Sequence, residues 1–465
     1  MNWIALSLLL PASFVQEPGI AVPTRIPQAL SEAELGELEA MAQAVLEEGL
    51  SPSFVVGVRR GGQSFVRGYG SIDDAGTAPD GDTLYEIGSV SKVFTGTLLA
   101  DAHLRGEVGL EDELSKYAPE GIRVPQKGDE PIRLWHLATH TSGLNRMPPG
   151  YAPPDWNDPF AGGTASDIWN AVAASKLRRA PLAKVQYSNF AVGLLGQVVC
   201  GPTEADYENR LVERITGPLG MADTHLVLAP ERAPRLAQGH DAAIRASNRW
   251  QFDVLGGAGG ITSSVHDMLK FAQANLAPTD DGIGPALHLA QVPRHEMEDA
   301  PISIGLCWHR NSNTGVLWHN GQTGGYHAFL ALKPEHDIAV IVLSACSDGT
   351  TEILGNRLYQ VLMGGPDVPA FDLKRSVHVD PQVLARYAGE YELALAGTFV
   401  IEHDEIGLIA TLADQPAIRL YAESETAFFY RVVDARITFE IEEDEVKTLV
   451  LHQNGMKLRA PRKGN

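Results

Sequence analysis

The chain has 465 residues, of which 44% are apolar and 20% charged, a composition typical of a soluble globular protein with more than one domain. Its 58 Asp and Glu residues outnumber 37 Lys and Arg residues, and the net charge of −21 argues against nucleic acid or an anionic membrane as a partner. Three scattered cysteines, Cys200, Cys307 and Cys346, form neither a disulfide framework nor a spaced set of metal ligands. We predict that the protein uses no metal ion and no cofactor.

The N-terminus carries an apolar block, Trp3–Leu10, which is followed by Pro11-Ala12-Ser13 and then by a polar stretch. This is the outline of a secretory signal, although no Lys or Arg precedes the block and no small-x-small cleavage site follows it. We predict a signal peptide over residues 1–16 and export to the periplasm or the cell exterior. The block is too short to span a bilayer, so stable membrane insertion is not expected.

Local patterns predict an α/β (α+β) sandwich domain over residues 30–365. Ser31 and Glu34 have the spacing of a capping box, which predicts the start of a helix. Strands are predicted over Ser53–Arg60, Gln63–Tyr69, Val316–His319, His327–Leu332 and Ile338–Leu343, and a further helix over Glu352–Leu362. We expect the strands from both ends of the domain to form one antiparallel sheet, flanked by the helices of the middle of the chain.

The pattern changes after a Gly- and Pro-containing linker, predicted over residues 366–381. Residues 382–465 contain short strand-like runs without long helices, and we expect them to close into a small all-β barrel. The runs are Tyr391–Leu393, Thr398–Glu402, Ile406–Ala410, Ala417–Tyr421, Ala427–Tyr430, Ile437–Ile441 and Val446–His452. No catalytic set of residues occurs in this segment, which predicts an accessory or dimerisation role and, with it, a homo-oligomer.

The candidate nucleophile lies in the stretch Tyr85-Glu86-Ile87-Gly88-Ser89-Val90-Ser91-Lys92. A β-like run ends at Gly88, and apolar residues then follow at helical spacing, so Ser89 falls in the first turn of a buried helix. Ser89 and Lys92 are three positions apart and share one face of that helix. The helix start also offers unpaired backbone NH groups to a developing negative charge.

Two further stretches supply partners for Ser89. Tyr187-Ser188-Asn189 precedes an apolar helix, and His319-Asn320-Gly321 ends a strand just before Gln322. The chain has no Gly-x-Ser-x-Gly sequence, so the nucleophile elbow of α/β-hydrolases is absent. His136 and His140 have the spacing of a zinc helix, but Leu137 replaces the glutamate of His-Glu-x-x-His, which argues against a metalloprotease.

These motifs resemble the serine β-lactamase and penicillin-binding hydrolase family, most closely its class C branch and related D-Ala-D-Ala peptidases and esterases. Tyr85 to Lys92 matches the nucleophile motif, Tyr187 to Asn189 the Tyr-x-Asn element, and His319 to Gly321 the Lys/His-x-Gly element. Further similarity runs through Ile132 to Leu144 and through Gly259-Gly260-Ile261. The tail resembles the lipocalin-like β-domain of some related hydrolases.

The resemblance implies a covalent acyl-enzyme on Ser89 that water later releases. Lys92 or Tyr187 would take the proton from Ser89, and this choice stays open. Asn189 would lie beside Lys92 and the substrate's amide. The strand around Gly321 would border the substrate, and the backbone NH groups of Ser89 and Gln322 would form the oxyanion hole.

His319 departs from the lysine that many class C enzymes have at this position. A histidine with an ordinary pKa near 6.5 is only partly charged at neutral pH, so recognition of a substrate carboxylate should weaken as the pH rises through that pKa. We expect a β-lactamase active on the β-lactam amide, with a role in antibiotic resistance. The alternatives are a D-Ala-D-Ala carboxypeptidase, a D-aminopeptidase or a carboxylesterase at the same site, and a non-catalytic binding protein. The expected partner is a small acyl substrate.

Overall fold

The computed structural model describes residues 30–363, 373–394, 397–413 and 415–464. The predicted signal peptide, residues 1–16, and the part of the predicted linker before residue 373 lie outside these ranges. The α-helices are α1 Glu32–Glu47, α2 Ser91–Leu104, α3 Leu134–Ala138, α4 Ala165–Ala174, α5 Asn189–Cys200, α6 Glu204–Leu211, α7 Val265–Leu276, α8 Gly284–Gln291, α9 Thr350–Met363 and α10 Pro381–Ala385.

The β-strands fall into a first group before α9 and a second group after α10. The first group is β1 Ser53–Arg60, β2 Gln63–Gly70, β3 Leu84–Glu86, β4 Gly239–His240, β5 Ala246–Ser247, β6 Thr262–Ser264, β7 His295–Glu296, β8 Ile302–Ile304, β9 His309–Asn311, β10 Leu317–Gln322, β11 His327–Lys333 and β12 Ile338–Ser344. The second group is β13 Gly389–Leu393, β14 Gly397–His403, β15 Leu408–Leu412, β16 Ile418–Ala422, β17 Ala427–Phe429, β18 Ala435–Glu442, β19 Glu445–Gln453 and β20 Met456–Pro461.

One antiparallel sheet joins the two ends of the first domain, as predicted. Its strand order is β2-β1-β12-β11-β10-β9-β8-β7, and the seam between the two ends is the pairing of β1 with β12. The predicted capping box of Ser31 and Glu34 is present at the start of α1. The strands β7, β8 and β9 extend the sheet beyond β10 and were not predicted, because each has only two or three residues.

The sheet is buried on both faces, which explains why β12 is apolar throughout. Ile338, Val340 and Val342 contribute to a core shared with α1 and α9. The alternate residues Ala339 and Ile341 contribute to a larger core shared with α2, α5, α7 and α8. Successive side chains of a strand point to opposite faces, so a strand between two helical layers has no polar face.

The C-terminal strands form the predicted barrel. Within the described residues, eight strands follow one another in chain order from β13 to β20, and a bridge between Tyr391 and Arg462 closes the first strand on the last. The last strand, β20, was not predicted. Aromatic and aliphatic side chains fill the interior, among them Tyr387, Phe428 and Phe439.

The barrel packs against the first domain through aromatic and charged side chains. Tyr421 and Phe429 belong to the same core as α1 and α9. The guanidinium of Arg431 lies 4.3 Å from the ring centre of Tyr421 and 5.1 Å from that of Phe429. It also pairs at 2.9 Å with Glu48, and both charged side chains are only 7% exposed. This face of the barrel is therefore covered within one chain, and a dimer would need a different surface.

No helix in the described ranges is long and apolar enough to cross a membrane.

Candidate active site

Ser89 lies in a tight 3₁₀ turn, Gly88–Val90, that leads directly into α2. The sequence predicts this serine in the first helical turn, and the structure places it two residues before the α-helix begins at Ser91. Gly88 has a φ of 50°, which glycine adopts without strain. Ser89 is partly exposed, whereas the residues on both sides of it are buried. The turn thus presents the Ser89 hydroxyl alone to solvent.

Lys92 extends from the start of α2 toward Ser89. Its side chain is fully buried, and its Nζ lies 2.9 Å from Oγ of Ser89. Nζ also donates a hydrogen bond to the carbonyl oxygen of Ala258. Burial lowers the pKa of Lys92 well below the usual value of a lysine. A lysine in this state can hold a neutral amine beside the serine, which is the form that accepts a proton.

Tyr187 lies beside the Lys92 amine. Nζ of Lys92 is 4.9 Å from its ring centre, and the imidazole ring of His140 is 4.4 Å from it, centre to centre. The Tyr187 hydroxyl is buried and makes no hydrogen bond of acceptable geometry within the described residues. Burial raises the pKa of Tyr187, although the Ser89 hydroxyl and the charge of Arg146 oppose the shift. Tyr187 is therefore protonated at neutral pH.

Asn189 begins α5, immediately after the N-cap residue Ser188. Its backbone NH donates to the carbonyl of Arg146 at 3.0 Å. Its side-chain NH₂ lies 3.8 Å from the sulfur of Met147, and its side-chain oxygen is buried without a partner in the described part of the chain. The side-chain amide of Asn189 thus contacts Met147, and its oxygen is left without a donor among the described residues.

Gly321 and Gln322 bring the end of β10 against the turn that carries Ser89. A Cβ atom at Gly321 would lie 1.9 Å from the carbonyl oxygen of Ile87 and 2.8 Å from the backbone nitrogen of Ser89. A Cβ atom at Gly88 would lie 2.5 Å from the backbone nitrogen of Gln322. Only glycine permits this approach of two backbones. These contacts bring the backbone nitrogens of Ser89 and Gln322 close together, at the place where the family resemblance puts the oxyanion hole.

His319 is fully buried in β10, an environment that differs from the ordinary pKa near 6.5 assumed from the sequence. Its Nδ1 donates to the carbonyl of Asn320 at 2.6 Å, its Nε2 has no partner in the described residues, and its ring lies 5.0 Å from that of His309. Burial, followed by the charges of His309 and Lys92, lowers the pKa of His319 well below 6.5. The imidazole is therefore neutral at neutral pH, and any effect of its charge on carboxylate recognition moves to lower pH.

The structure adds residues that the sequence reasoning missed. Ala258 supplies a backbone carbonyl to Lys92, and the neighbouring Gly259-Gly260-Ile261 stretch was the available signal. Arg146 places its guanidinium carbon 5.3 Å from the ring centre of Tyr187, and His140 accepts a hydrogen bond from the Ser188 NH. Although histidines cluster here, no group of three or more His, Cys, Asp or Glu in the described ranges is arranged to hold a metal ion.

Comparison with known proteins agrees with this geometry. Residues 38–362 match the beta-lactamase family, and residues 373–460 match a domain of unknown function, DUF3471. The D-alanyl-D-alanine-carboxypeptidase/endopeptidase AmpH of Escherichia coli (strain K12) is 30% identical over 326 residues, which cover 64% of this chain and 83% of AmpH. A penicillin-binding protein of Bacillus subtilis (strain 168) is 26% identical over 406 residues, which cover 82% of this chain and 88% of that protein.

Among solved structures, a beta-lactamase/D-alanine carboxypeptidase from Yersinia pestis superposes with a TM-score of 0.61 at 27% identity, over 71% of this chain and 99% of that one. A class C beta-lactamase shares the fold at 20% identity, with a TM-score of 0.62 over 73% of this chain and 100% of that one. The family match spans the turn of Ser89, the Tyr187 loop and strand β10. The chain belongs to the beta-lactamase family of serine hydrolases.

Proposed function

We propose that this protein hydrolyses the amide bond of β-lactams through an acyl-enzyme on Ser89, in the manner of a class C β-lactamase. The observation that carries the proposal is the 2.9 Å contact between the buried Lys92 amine and the Ser89 hydroxyl. Burial lowers the pKa of Lys92 well below the usual value of a lysine, which favours the neutral amine that can accept a proton. The adjacent NH groups of Ser89 and Gln322 supply the second requirement, donors for the oxyanion.

The proposed reaction has two halves. As Oγ of Ser89 bonds to the lactam carbonyl carbon, its proton passes to Nζ of Lys92, and the carbonyl oxygen becomes the oxyanion. When the carbon–nitrogen bond breaks, the ring nitrogen takes a proton that the Tyr187 hydroxyl can relay from Lys92. Water then attacks the ester and restores Ser89. Tyr187 suits the role of a relay because it stays protonated at neutral pH.

A second candidate is a D-Ala-D-Ala carboxypeptidase, which would form the same acyl-enzyme and release D-alanine. Two observations favour it. The triplet at the end of β10 holds a buried neutral His319 rather than a lysine, and the Asn320 side chain turns away to Glu352. The relative AmpH is also named as a D-alanyl-D-alanine-carboxypeptidase. A β-lactam would then act as an inhibitor, because it would acylate Ser89 and the acyl-enzyme would be hydrolysed slowly.

Mass spectrometry of the intact protein with benzylpenicillin separates these functions. An adduct on wild type that disappears within seconds supports the β-lactamase. An adduct that persists for minutes, together with release of D-alanine from a D-Ala-D-Ala peptide, supports the peptidase. Ser89→Ala should form no adduct, whereas Ser166→Ala, which removes an exposed hydroxyl from α4, should behave as wild type. An adduct on Ser89→Ala, or none on wild type, contradicts the proposal.

Export is a separate part of the proposal and rests on the apolar block in residues 1–16. Expression of the full chain followed by N-terminal sequencing of the protein in the periplasmic fraction tests it. A mature N-terminus near residue 17 in that fraction supports export, and an intact Met1 in the cytoplasm contradicts it.

A further inference from the structure

Arg146 is a positively charged residue at the mouth of the site that the reaction above does not use. Its side chain is exposed, and its guanidinium carbon lies 5.3 Å from the ring centre of Tyr187. Its carbonyl accepts hydrogen bonds from the NH groups of Asn189 at 3.0 Å and Phe190 at 3.2 Å. These bonds tie the backbone of Arg146 to the first turn of α5. The cation is therefore held beside Tyr187 by the same loop that positions the Tyr187-Ser188-Asn189 element.

Arg146 has no carboxylate partner in the described part of the chain. Other arginines of the first domain, such as Arg60, Arg214 and Arg235, form ion pairs with acidic residues. The protein carries a net charge of −21, so acidic side chains are abundant, and an arginine without one beside the active site is free to bind an anionic ligand. A guanidinium is charged at all pH values at which an enzyme works, and it binds a carboxylate through two parallel hydrogen bonds.

The position of Arg146 indicates which part of a substrate it would meet. Asn189, whose NH donates to the Arg146 carbonyl, is the residue that the family resemblance places beside the substrate's amide. The neighbouring Met147 contacts the Asn189 side chain directly. We propose that Arg146 borders the acyl side of a substrate bound at Ser89 and selects substrates whose acyl side chain carries a carboxylate.

This inference rests on the proposed acylation of Ser89 but concerns a different group of the substrate. The carboxylate on the nucleus of a penicillin is common to all penicillins, whereas a side-chain carboxylate is present in some and absent from others. Benzylpenicillin and carbenicillin form such a pair, because they differ only by a carboxylate on the side chain. The ratio of their second-order acylation rate constants therefore reports on the interaction of Arg146 with the side-chain carboxylate, because effects on the shared penicillin nucleus cancel.

The acylation rate constant for carbenicillin divided by that for benzylpenicillin should be higher in wild type than in Arg146→Gln. An exposed ion pair predicts that the ratio falls about fivefold in Arg146→Gln. Arg146→Lys should keep part of the preference, and about 0.5 M salt should weaken it in wild type because exposed charges are screened. Lys457→Gln removes an exposed charge from the C-terminal barrel and should leave the ratio unchanged.

The outcomes distinguish this inference from the proposed function. An unchanged ratio in Arg146→Gln overturns the inference. An equal loss of rate with both penicillins also leaves the ratio unchanged, and it would mean that Arg146 only supports Tyr187. Failure of both penicillins to acylate wild type would instead count against the proposed function. In that case p-nitrophenyl butyrate and mono-p-nitrophenyl glutarate, which differ only by a terminal carboxylate on the acyl group, measure the corresponding ratio in the same variants.

Discussion

Lys92 places one buried nitrogen against two oxygens, the hydroxyl of Ser89 at 2.9 Å and the carbonyl of Ala258. A carbonyl only accepts hydrogen bonds, so one hydrogen of the amine is committed to Ala258. In the neutral form the amine keeps a lone pair, which can receive the hydrogen of the Ser89 hydroxyl. The Ala258 carbonyl thus orients Lys92 as a base toward Ser89.

Replacing this amine should abolish acylation while stabilising the fold. Lys92→Met is expected to lower the acylation rate constant about 10³-fold, within the usual range for loss of a general base. Because burial lowers the pKa of Lys92 in the folded chain, the unfolded chain binds this proton more tightly, and protonation of Lys92 opposes folding. The free energy of unfolding of the variant should therefore exceed that of wild type, and by less as the pH rises. Denaturant titrations at several pH values measure this difference, and a variant less stable than wild type at every pH would contradict it.

The pH dependence of acylation should identify the base. If Lys92 takes the proton, the rate constant rises with pH through the lowered pKa of Lys92 and then levels off. Tyr187→Phe should keep that rise at a lower plateau, because the phenol is protonated at neutral pH and acts only as a relay. Stopped-flow acylation between pH 5 and 9 provides the measurement. Loss of the rise in Tyr187→Phe would assign the base to Tyr187.

The pH range in which the charge of His319 affects substrate binding can be tested separately. Because burial lowers the pKa of His319 well below 6.5, its charge is present only below that pKa and is lost as the pH rises through it. Between pH 6.5 and 8 the KM for benzylpenicillin should therefore not change through His319. His319→Gln should show the same KM profile as wild type over this interval. A KM that rises in wild type and not in the variant would mean that His319 titrates near neutrality.

The close contact between β10 and the Ser89 turn predicts a sharp steric effect. In Gly321→Ala the new methyl group would lie 1.9 Å from the carbonyl oxygen of Ile87, so β10 must move away from the Ser89 NH. We expect kcat/KM to fall about 10²-fold or more, as on loss of one oxyanion donor. Gly36→Ala is the matched control, because a Cβ there would meet nothing within 4 Å beyond its chain neighbours and the backbone of α1 itself. That control should keep full activity and gain slightly in stability.

Attachment of the C-terminal barrel depends on the buried pair of Glu48 and Arg431. Arg431→Met removes the nearest cation from the buried Glu48 carboxylate, which keeps the Ser376 NH and hydroxyl as donors and Arg375 at 3.6 Å. The loss of stability should therefore stay below the about 3–5 kcal/mol of a buried charge left wholly unpaired. The double variant Glu48→Gln, Arg431→Met should recover most of that loss. Arg459→Gln, which breaks an exposed pair with Glu440, should cost at most about 1 kcal/mol. Thermal and denaturant unfolding of the four proteins measures these differences.

Much of the fold was predictable because its signals are local. The apolar strand β12 and the capping box of Ser31 each follow from fewer than ten adjacent residues, and the hairpin of β1 and β2 follows from two adjacent strand-like runs joined by Gly61-Gly62. The motif from Tyr85 to Lys92 likewise pointed to Ser89, the proposed nucleophile. The short strands β7 to β9 had no pattern long enough to recognise, and they are strands only because β10 offers them an edge.

The electrostatics of the site could not be predicted, because they arise between distant segments. His319 is neutral since it is buried beside His309 and Lys92, and no local pattern reports that environment. The guanidinium of Arg146 lies near the ring of Tyr187, and the Arg146 backbone is held by a hydrogen bond to the first turn of α5, 43 positions further along the chain. The environments of His319 and Arg146 could therefore be recognised only from the folded structure.

The seam between β1 and β12 also has a consequence for synthesis of the protein. Arg59 and Asp337, which form a salt bridge across this seam, are 278 positions apart in the chain. At about 5–20 residues per second, a ribosome takes roughly 15–55 s to make the segment between them. During that interval β1 and the Ser89 turn exist without the strands that complete their sheet. The nascent chain therefore exposes an unpaired strand edge for many seconds, and chaperone binding to β1 should be strongest in this period.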